Sequence, residues 1–228
     1  MLAACASGNS GNTDEDGAVV TDLPASCVAS ASSTGQRQGE LGNMQAVGDS
    51  ILAYNDVEAQ SIPDVVGREL NISMRNNAVG GAMLTPTNDE SIASQYEPGN
   101  YSHVLVNGGG NDFSAQCSRP VLDSLIAPNL QSGLMVELVN TITGDGAQAV
   151  IVGYYLPRDR ETGCEYFPEL LSRYRELAQQ RDDTMYICTA ETIRPDTPAL
   201  YASPDDPVHP SPAGSRAVGL LIADHLRR

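Results

Sequence analysis

Ala147-Gln148-Ala149-Val150-Ile151-Val152-Gly153-Tyr154-Tyr155 is the stretch that decides the fold. It is almost continuously apolar and β-branched at its centre, which reads as a strand buried on both faces, the environment of a parallel sheet. Shorter runs of the same kind stand upstream at Met44–Val47, Ile72–Asn77 and His103–Asn107, and one downstream at Met185–Thr189. Each is followed by a loop and then a stretch of helical character. That alternation predicts an α/β three-layer sandwich, a five-stranded parallel sheet with helices on both faces. From Pro168 to about Gln179, Leu170, Leu171, Tyr174 and Leu177 share one helical face, with Arg173, Arg175 and Glu176 largely elsewhere. The last helix opens at Ser211-Pro212, a serine cap followed by proline in the first turn, and is expected to carry Val218, Leu220, Leu221 and Leu226 inward.

A chain of 228 residues suits one such domain, which would bury roughly 70% of its unfolded surface. Lys and Arg number 13 against 29 Asp and Glu, a formal charge of −16 that repels phosphate backbones and anionic head groups. No nucleic-acid partner is therefore expected. No apolar run approaches the ~20 residues needed to cross a bilayer, so membrane association is expected only through the N-terminus. There Leu2-Ala3-Ala4-Cys5 resembles a bacterial lipobox, in which the cysteine receives the lipid. The polar, Gly- and Ser-rich stretch from Ala6 to Asp22 suits a flexible tether. The expected organisation is residues 1–5 as a signal-peptide remnant with its lipobox cysteine, 6–40 as a flexible arm, and 41–228 as the folded domain.

In open parallel sheets the loops at the carboxyl ends of strands converge on one edge, so chemistry is sought just after the strands. Gly48-Asp49-Ser50 follows the first, Gly80-Gly81 the second, Gly108-Gly109-Gly110-Asn111-Asp112 the third, and Asp206-Pro207-Val208-His209 the fifth. A serine hydroxyl is a poor nucleophile until a base takes its proton, and imidazole suits that task near neutrality. His103 opens the third strand at the wrong edge and His225 falls in the last turn of the terminal helix, which leaves His209. Asp206, three residues before it, can accept a hydrogen bond from the other ring nitrogen and fix the tautomer, with Asp205 as the alternative if the loop register differs. No serine sits in a GxSxG elbow, which sets the α/β-hydrolase superfamily aside. No P-loop lysine follows the glycine run, which argues against phosphate binding.

These four blocks resemble the motif blocks of the SGNH (GDSL-type) hydrolase family: GDS, a glycine, GxND and DxxH, in that order, from about Gln45 to the C-terminus. GDS alone recurs by chance; all four in order at strand ends are specific. Ile51 stands where many members have leucine, a change of little volume. The resemblance implies a flavodoxin-like strand order 2-1-3-4-5 and Ser50 as nucleophile, activated by His209 with Asp206. It also implies an oxyanion hole built from the Ser50 amide, the Gly81 amide and the Asn111 side chain. Gly81 fits the pattern better than Gly80, although the doublet leaves the register open. Asp49 and Asp112 are expected to accept hydrogen bonds from neighbouring loop amides rather than to transfer protons.

The activity so implied is hydrolysis of a carboxylic ester through an acyl-serine intermediate, by a monomer that needs no cofactor and no metal. The substrate would be a small-molecule, lipid or saccharide ester; loops such as Leu84–Ser102 that would decide this carry no recognisable code. Acyl transfer to an alcohol on the same scaffold is one alternative. A catalytically inactive surface-binding lipoprotein is another, opposed by an intact Ser50, Asn111, Asp206 and His209. Tyr54, Phe113, Tyr154 and Tyr155 lie in or beside the active-edge loops and belong either to an acyl pocket or, more commonly, to the core.

With Cys5 set aside, Cys27, Cys117, Cys164 and Cys188 form an even number without a CxxC pair, which suggests two disulfides rather than zinc. Cys117 and Cys164 lie in loops that should emerge on the same edge from neighbouring strands, so their pairing is geometrically easiest, and Cys27 falls to Cys188. An oxidised chain with a lipobox is expected to be exported, to the periplasm or cell surface.

Overall fold

The structure is a computed structural model that describes residues 41–86, 91–158 and 163–228. Cys5, Cys27 and the expected arm lie outside the described residues. Strands β1 (Met44–Val47), β2 (Met74–Asn76), β3 (His103–Val106), β4 (Gln148–Val152) and β5 (Thr184–Ile187) form one parallel sheet in the order β2-β1-β3-β4-β5, as the resemblance implied. Helices α1 (Ser50–Ala53), α2 (Ile62–Leu70) and α7 (Pro212–Leu226) belong to one face. On the other lie α3 (Gly110–Ala115), α4 (Arg119–Leu125) and α5 (Leu134–Gly144), with α6 (Phe167–Gln179) contributing chiefly there.

The period-2 alternation of a strand sorts the core into two layers. Val104, Val106, Ala149 and Ile151 pack with Leu122, Leu125, Met135, Val139 and Leu170. Met44, Ala46, Leu105, Val150 and Val152 point the other way, into Ile62, Val66, Val218 and Ile222. β3 and β4 are thus apolar on both faces, which is why their sequences read as continuous runs.

Several boundaries differ from the sequence expectation. β4 stops at Val152 although the apolar run continues, because Tyr154 and Tyr155 leave the strand and tuck under the carboxyl edge, where their hydroxyls find partners. β2 keeps only Met74–Asn76, and among the described residues no α-helix joins it to β3, only a 3-10 turn at Ile92–Gln95. The segment bearing Asp206 and His209 is not an irregular loop but an antiparallel ribbon, β6 (Tyr201–Ser203) and β7 (Asp206–Pro210). In α6, Leu170, Leu171, Tyr174 and Leu177 are buried as expected, but so is Arg173. Its guanidinium reaches Asp123 at 2.8 Å, Glu169 at 2.7 Å and the Ile126 carbonyl at 2.5 Å, and these partners offset the loss of water. In α7 the Ser211 cap accepts from Gly214 N at 3.1 Å, and the buried face runs through Val218, Gly219 and Ile222. Leu221 and Leu226 pack at its margin, whereas Leu220 stays half-exposed outside the core cluster.

Candidate active site

β1 delivers the chain to Gly48-Asp49, and Ser50 is the first residue of α1. Asp49 caps that helix, its Oδ1 accepting from Ile51 N at 2.9 Å. The amide of Ser50 itself is among those that a helix start leaves without an intrahelical acceptor. The turn is held from beneath by three buried side chains. Gln95 clamps Gly48 from both sides, accepting from its N–H at 2.7 Å and donating to its carbonyl at 2.9 Å. Asn107, just past β3, accepts from Asp49 N at 3.0 Å and donates to Asp49 Oδ1 at 3.2 Å. The Tyr154 hydroxyl donates to Asp49 Oδ2 at 2.5 Å and accepts from Gly110 N at 3.1 Å, so one phenol ties the serine turn to the start of α3. Burial pushes the Asp49 carboxyl up, against the Tyr154, Ile51 and Asn107 hydrogen bonds that pull it down. Burial and the adjacent Asp49 push the Tyr154 phenol well above its ordinary value.

The ribbon β6–β7 brings His209 over the serine. His209 Nε2 lies 2.9 Å from Ser50 Oγ, and Nδ1 lies 2.9 Å from both carboxylate oxygens of Asp206. With Nδ1–H donated to the carboxylate, Nε2 is left to accept from the serine hydroxyl. Asp206 Oδ1 also accepts from His209 N at 3.0 Å and Val208 N at 3.3 Å, which folds the aspartate back onto its own turn. Burial alone would raise the Asp206 carboxyl, but the His209 backbone and ring outweigh it and hold the group below its ordinary value. Asp205 is exposed and makes no bond to the imidazole, so of the two aspartates it is Asp206 that joins the chain of hydrogen bonds. Tyr155 steadies the ribbon by donating to the Val208 carbonyl at 2.8 Å. His103 is buried at the far end of β3, and His225 bonds the Leu221 carbonyl within α7.

Two further loops complete the edge. Gly81 has φ +80°, and among the described residues no atom lies within 4 Å of an added Cβ, so glycine serves conformation there rather than space. A Cβ on Gly80 would lie 3.9 Å from Ser50 Cβ, which puts the doublet beside that serine. Gly109 suits its φ of +104°, and an added Cβ there would also crowd Leu170 Cδ2 at 2.8 Å. It starts α3, in which Asn111 turns its side-chain amide to donate to the Ala82 carbonyl at 2.9 Å, keeping a second N–H for another acceptor. Asp112 accepts from Leu84 N at 3.0 Å and Thr85 N at 2.9 Å, the loop-bracing part expected of it. Just beyond α3, Cys117 bonds Cys164 with Cα atoms 5.5 Å apart, as the sequence suggested. The other expected pairing involves Cys27, outside the described residues.

Gln95, Asn107 and Tyr154 were not singled out from the sequence as supports of the serine turn, and no local signal could have marked them. Their partners are 47, 58 and 105 residues away. Phe113, Tyr154 and Tyr155 prove to be core, while Tyr54 is half-exposed against the imidazole.

This sheet order, with a serine, a glycine pair, an asparagine and a histidine gathered at its carboxyl edge, defines the SGNH class of hydrolases. The chain belongs to the GDSL-like Lipase/Acylhydrolase family, whose model matches residues 46–217. Its fold is similar to that of a protein assigned as an SGNH hydrolase from Slackia heliotrinireducens, at 22% identity and TM-score 0.55, over 81% of this chain and 98% of the other. It is also similar to Est24, a carbohydrate acetylesterase from Sinorhizobium meliloti, at 16% identity and TM-score 0.58, over 82% and 98% of the two chains. A member of the lipolytic G-D-S-L family from Veillonella parvula matches with 15% identity and TM-score 0.62, over 82% and 98%. No curated protein matches the chain.

Proposed function

We propose that this hydrolase is a serine esterase that cleaves carboxylic esters through an acyl-serine intermediate. The observation that carries the proposal is the unbroken hydrogen-bond chain from Ser50 Oγ through His209 to Asp206. Ser50 Oγ attacks the ester carbonyl as His209 Nε2 takes its proton, and Asp206 stabilises the imidazolium so formed. The carbonyl π electrons move to oxygen, and the resulting oxyanion is met by the amides of Ser50 and Gly81 and the free N–H of Asn111. Collapse breaks the bond to the alcohol, which leaves with the proton from Nε2. Water, deprotonated by the same imidazole, then attacks the acyl-serine; collapse breaks the acyl–Oγ bond, releases the acid and returns the imidazolium proton to Ser50 Oγ.

The open edge, with Gly80, Gly81 and Val79 all exposed, favours a substrate that is reached at the surface rather than drawn into a deep tunnel. Small acyl esters, acetylated saccharides among them, fit that description. A neighbour named as a carbohydrate acetylesterase lends support to the same choice. The Cys117–Cys164 bond favours an oxidising compartment, in keeping with export. The test is hydrolysis of p-nitrophenyl esters of graded chain length beside acetylated sugars, with Ser50→Ala as control and a fluorophosphonate to label the nucleophile. The expected result is loss of turnover in Ser50→Ala and one adduct mapped to Ser50. Substantial residual turnover, or labelling elsewhere, overturns the assignment.

A further inference from the structure

We infer that Tyr54 is a positioning residue of this site, holding the imidazole of His209 against Ser50 and sharing Asp206 with it. The inference deepens the esterase reading and rests on it. Tyr54 follows α1 directly, and it touches all three members of the relay. Its backbone N–H donates to the Ser50 carbonyl at 2.9 Å. Its ring lies flat on the His209 ring, with centroids 4.5 Å apart and planes 7° from parallel. Its hydroxyl donates to Asp206 Oδ2 at 3.2 Å, on the carboxylate that also takes Nδ1–H. Asn55 completes the clasp from the left-handed region, at φ 66°, with Nδ2 donating to the Pro210 carbonyl and to Ser215 Oγ, both at 3.0 Å. The residue pair after the nucleophile's helix thus grips the strand that carries its base.

The two parts of the side chain act in opposite senses. A π face held parallel to the imidazole confines the ring and stabilises the cation it becomes on taking the serine proton. The hydroxyl draws charge from Asp206 and so weakens its pull on that same proton. The other groups facing the imidazole are Asp206 and, beneath the serine turn, Asp49, whose carboxylate feels the ring's charge. Tyr155 braces the ribbon from behind, and Arg158 sends its guanidinium to the Pro204 carbonyl at the ribbon turn.

Tyr54→Phe and Tyr54→Leu, made in the full chain beside Ser50→Ala, separate the two parts. Ester hydrolysis is measured against pH and normalised to active sites counted with a fluorophosphonate. Tyr54→Phe is expected to keep kcat within about threefold and to move the acid limb of kcat/KM to higher pH, since Asp206 loses a competing donor. Tyr54→Leu is expected to lose about tenfold in kcat per titrated site with KM within about twofold, and to place its acid limb below that of Tyr54→Phe. A structural role alone would lower the number of active sites and leave the turnover of each unchanged. Wild-type turnover per site in Tyr54→Leu, or identical pH profiles in all three proteins, overturns the inference. Should the leucine variant not fold, an unmoved acid limb in Tyr54→Phe overturns it by itself. Residual turnover in Ser50→Ala would instead defeat the esterase reading, whereas an inert Ser50→Ala beside wild-type-like Tyr54 variants defeats this inference only.

Discussion

Replacing Asp206 by asparagine changes one oxygen into a nitrogen and should silence His209 through its tautomer. The carboxylate accepts from four donors: Nδ1–H of His209, the amides of His209 and Val208, and the Tyr54 hydroxyl. An asparagine has one acceptor oxygen. If that oxygen stays with the two backbone amides, the side-chain NH2 faces the ring and donates to Nδ1. The proton of the neutral imidazole then sits on Nε2, pointed at Ser50 Oγ, and the serine faces a donor where it needs a base. Only the minor tautomer can react, so kcat/KM is expected to fall by about 10³–10⁴, or about 4–5.5 kcal/mol of transition-state stabilisation. KM should barely move, because the substrate does not touch Asp206 in this mechanism. Asp205→Asn, at an exposed position without a bond to the ring, should stay within about threefold of wild type. The assay is ester hydrolysis per titrated active site for both variants. An Asp206→Asn rate within tenfold of wild type, or the reverse ranking of the two variants, would refute the reasoning. The same group links stability to pH. Its folded-state pKa lies below the ordinary value of about 3.9, so its contribution is complete above that value and is lost as pH falls through the lower, folded one. Denaturation midpoints compared between about pH 7 and pH 3 should therefore fall less steeply in Asp206→Asn than in the parent.

Two other outcomes follow from the geometry. Asn111→Ala removes the only side-chain donor proposed for the oxyanion and should lower kcat about 10²–10³-fold with little change in KM, so that an effect confined to KM in steady-state kinetics would count against that role. Opening the Cys117–Cys164 bond, whose cysteines are 47 residues apart, should cost about 4 kcal/mol of stability by the chain-entropy relation. Because the bond lies beside α3, heating after reduction should diminish activity before the domain melts, and non-reducing peptide maps that find free thiols at both positions would end the argument.

The parallel sheet and the motif blocks gathered at its carboxyl edge were legible in the sequence, because both rest on local signals. A strand buried on both faces is apolar at most positions, and Val104–Val106 in β3 and Ala149–Val152 in β4 announce themselves that way. The loops after such strands carry motifs whose chemistry depends on residue type and spacing, as with Asp206 and His209 three residues apart. Only the tertiary structure decided what those motifs lean on. Arg173 reads as a surface residue on a helical wheel and is buried, because α4 and its following turn supply acceptors that no wheel contains. Tyr154 reads as a strand residue and is the post between Asp49 and Gly110. Tyr54 was one aromatic among four until β7, some 150 residues later, laid His209 across its ring. Periodicity records which face of an element is buried. Which polar atom meets which depends on how elements distant in sequence cross, and that is settled only when the chain has closed on itself.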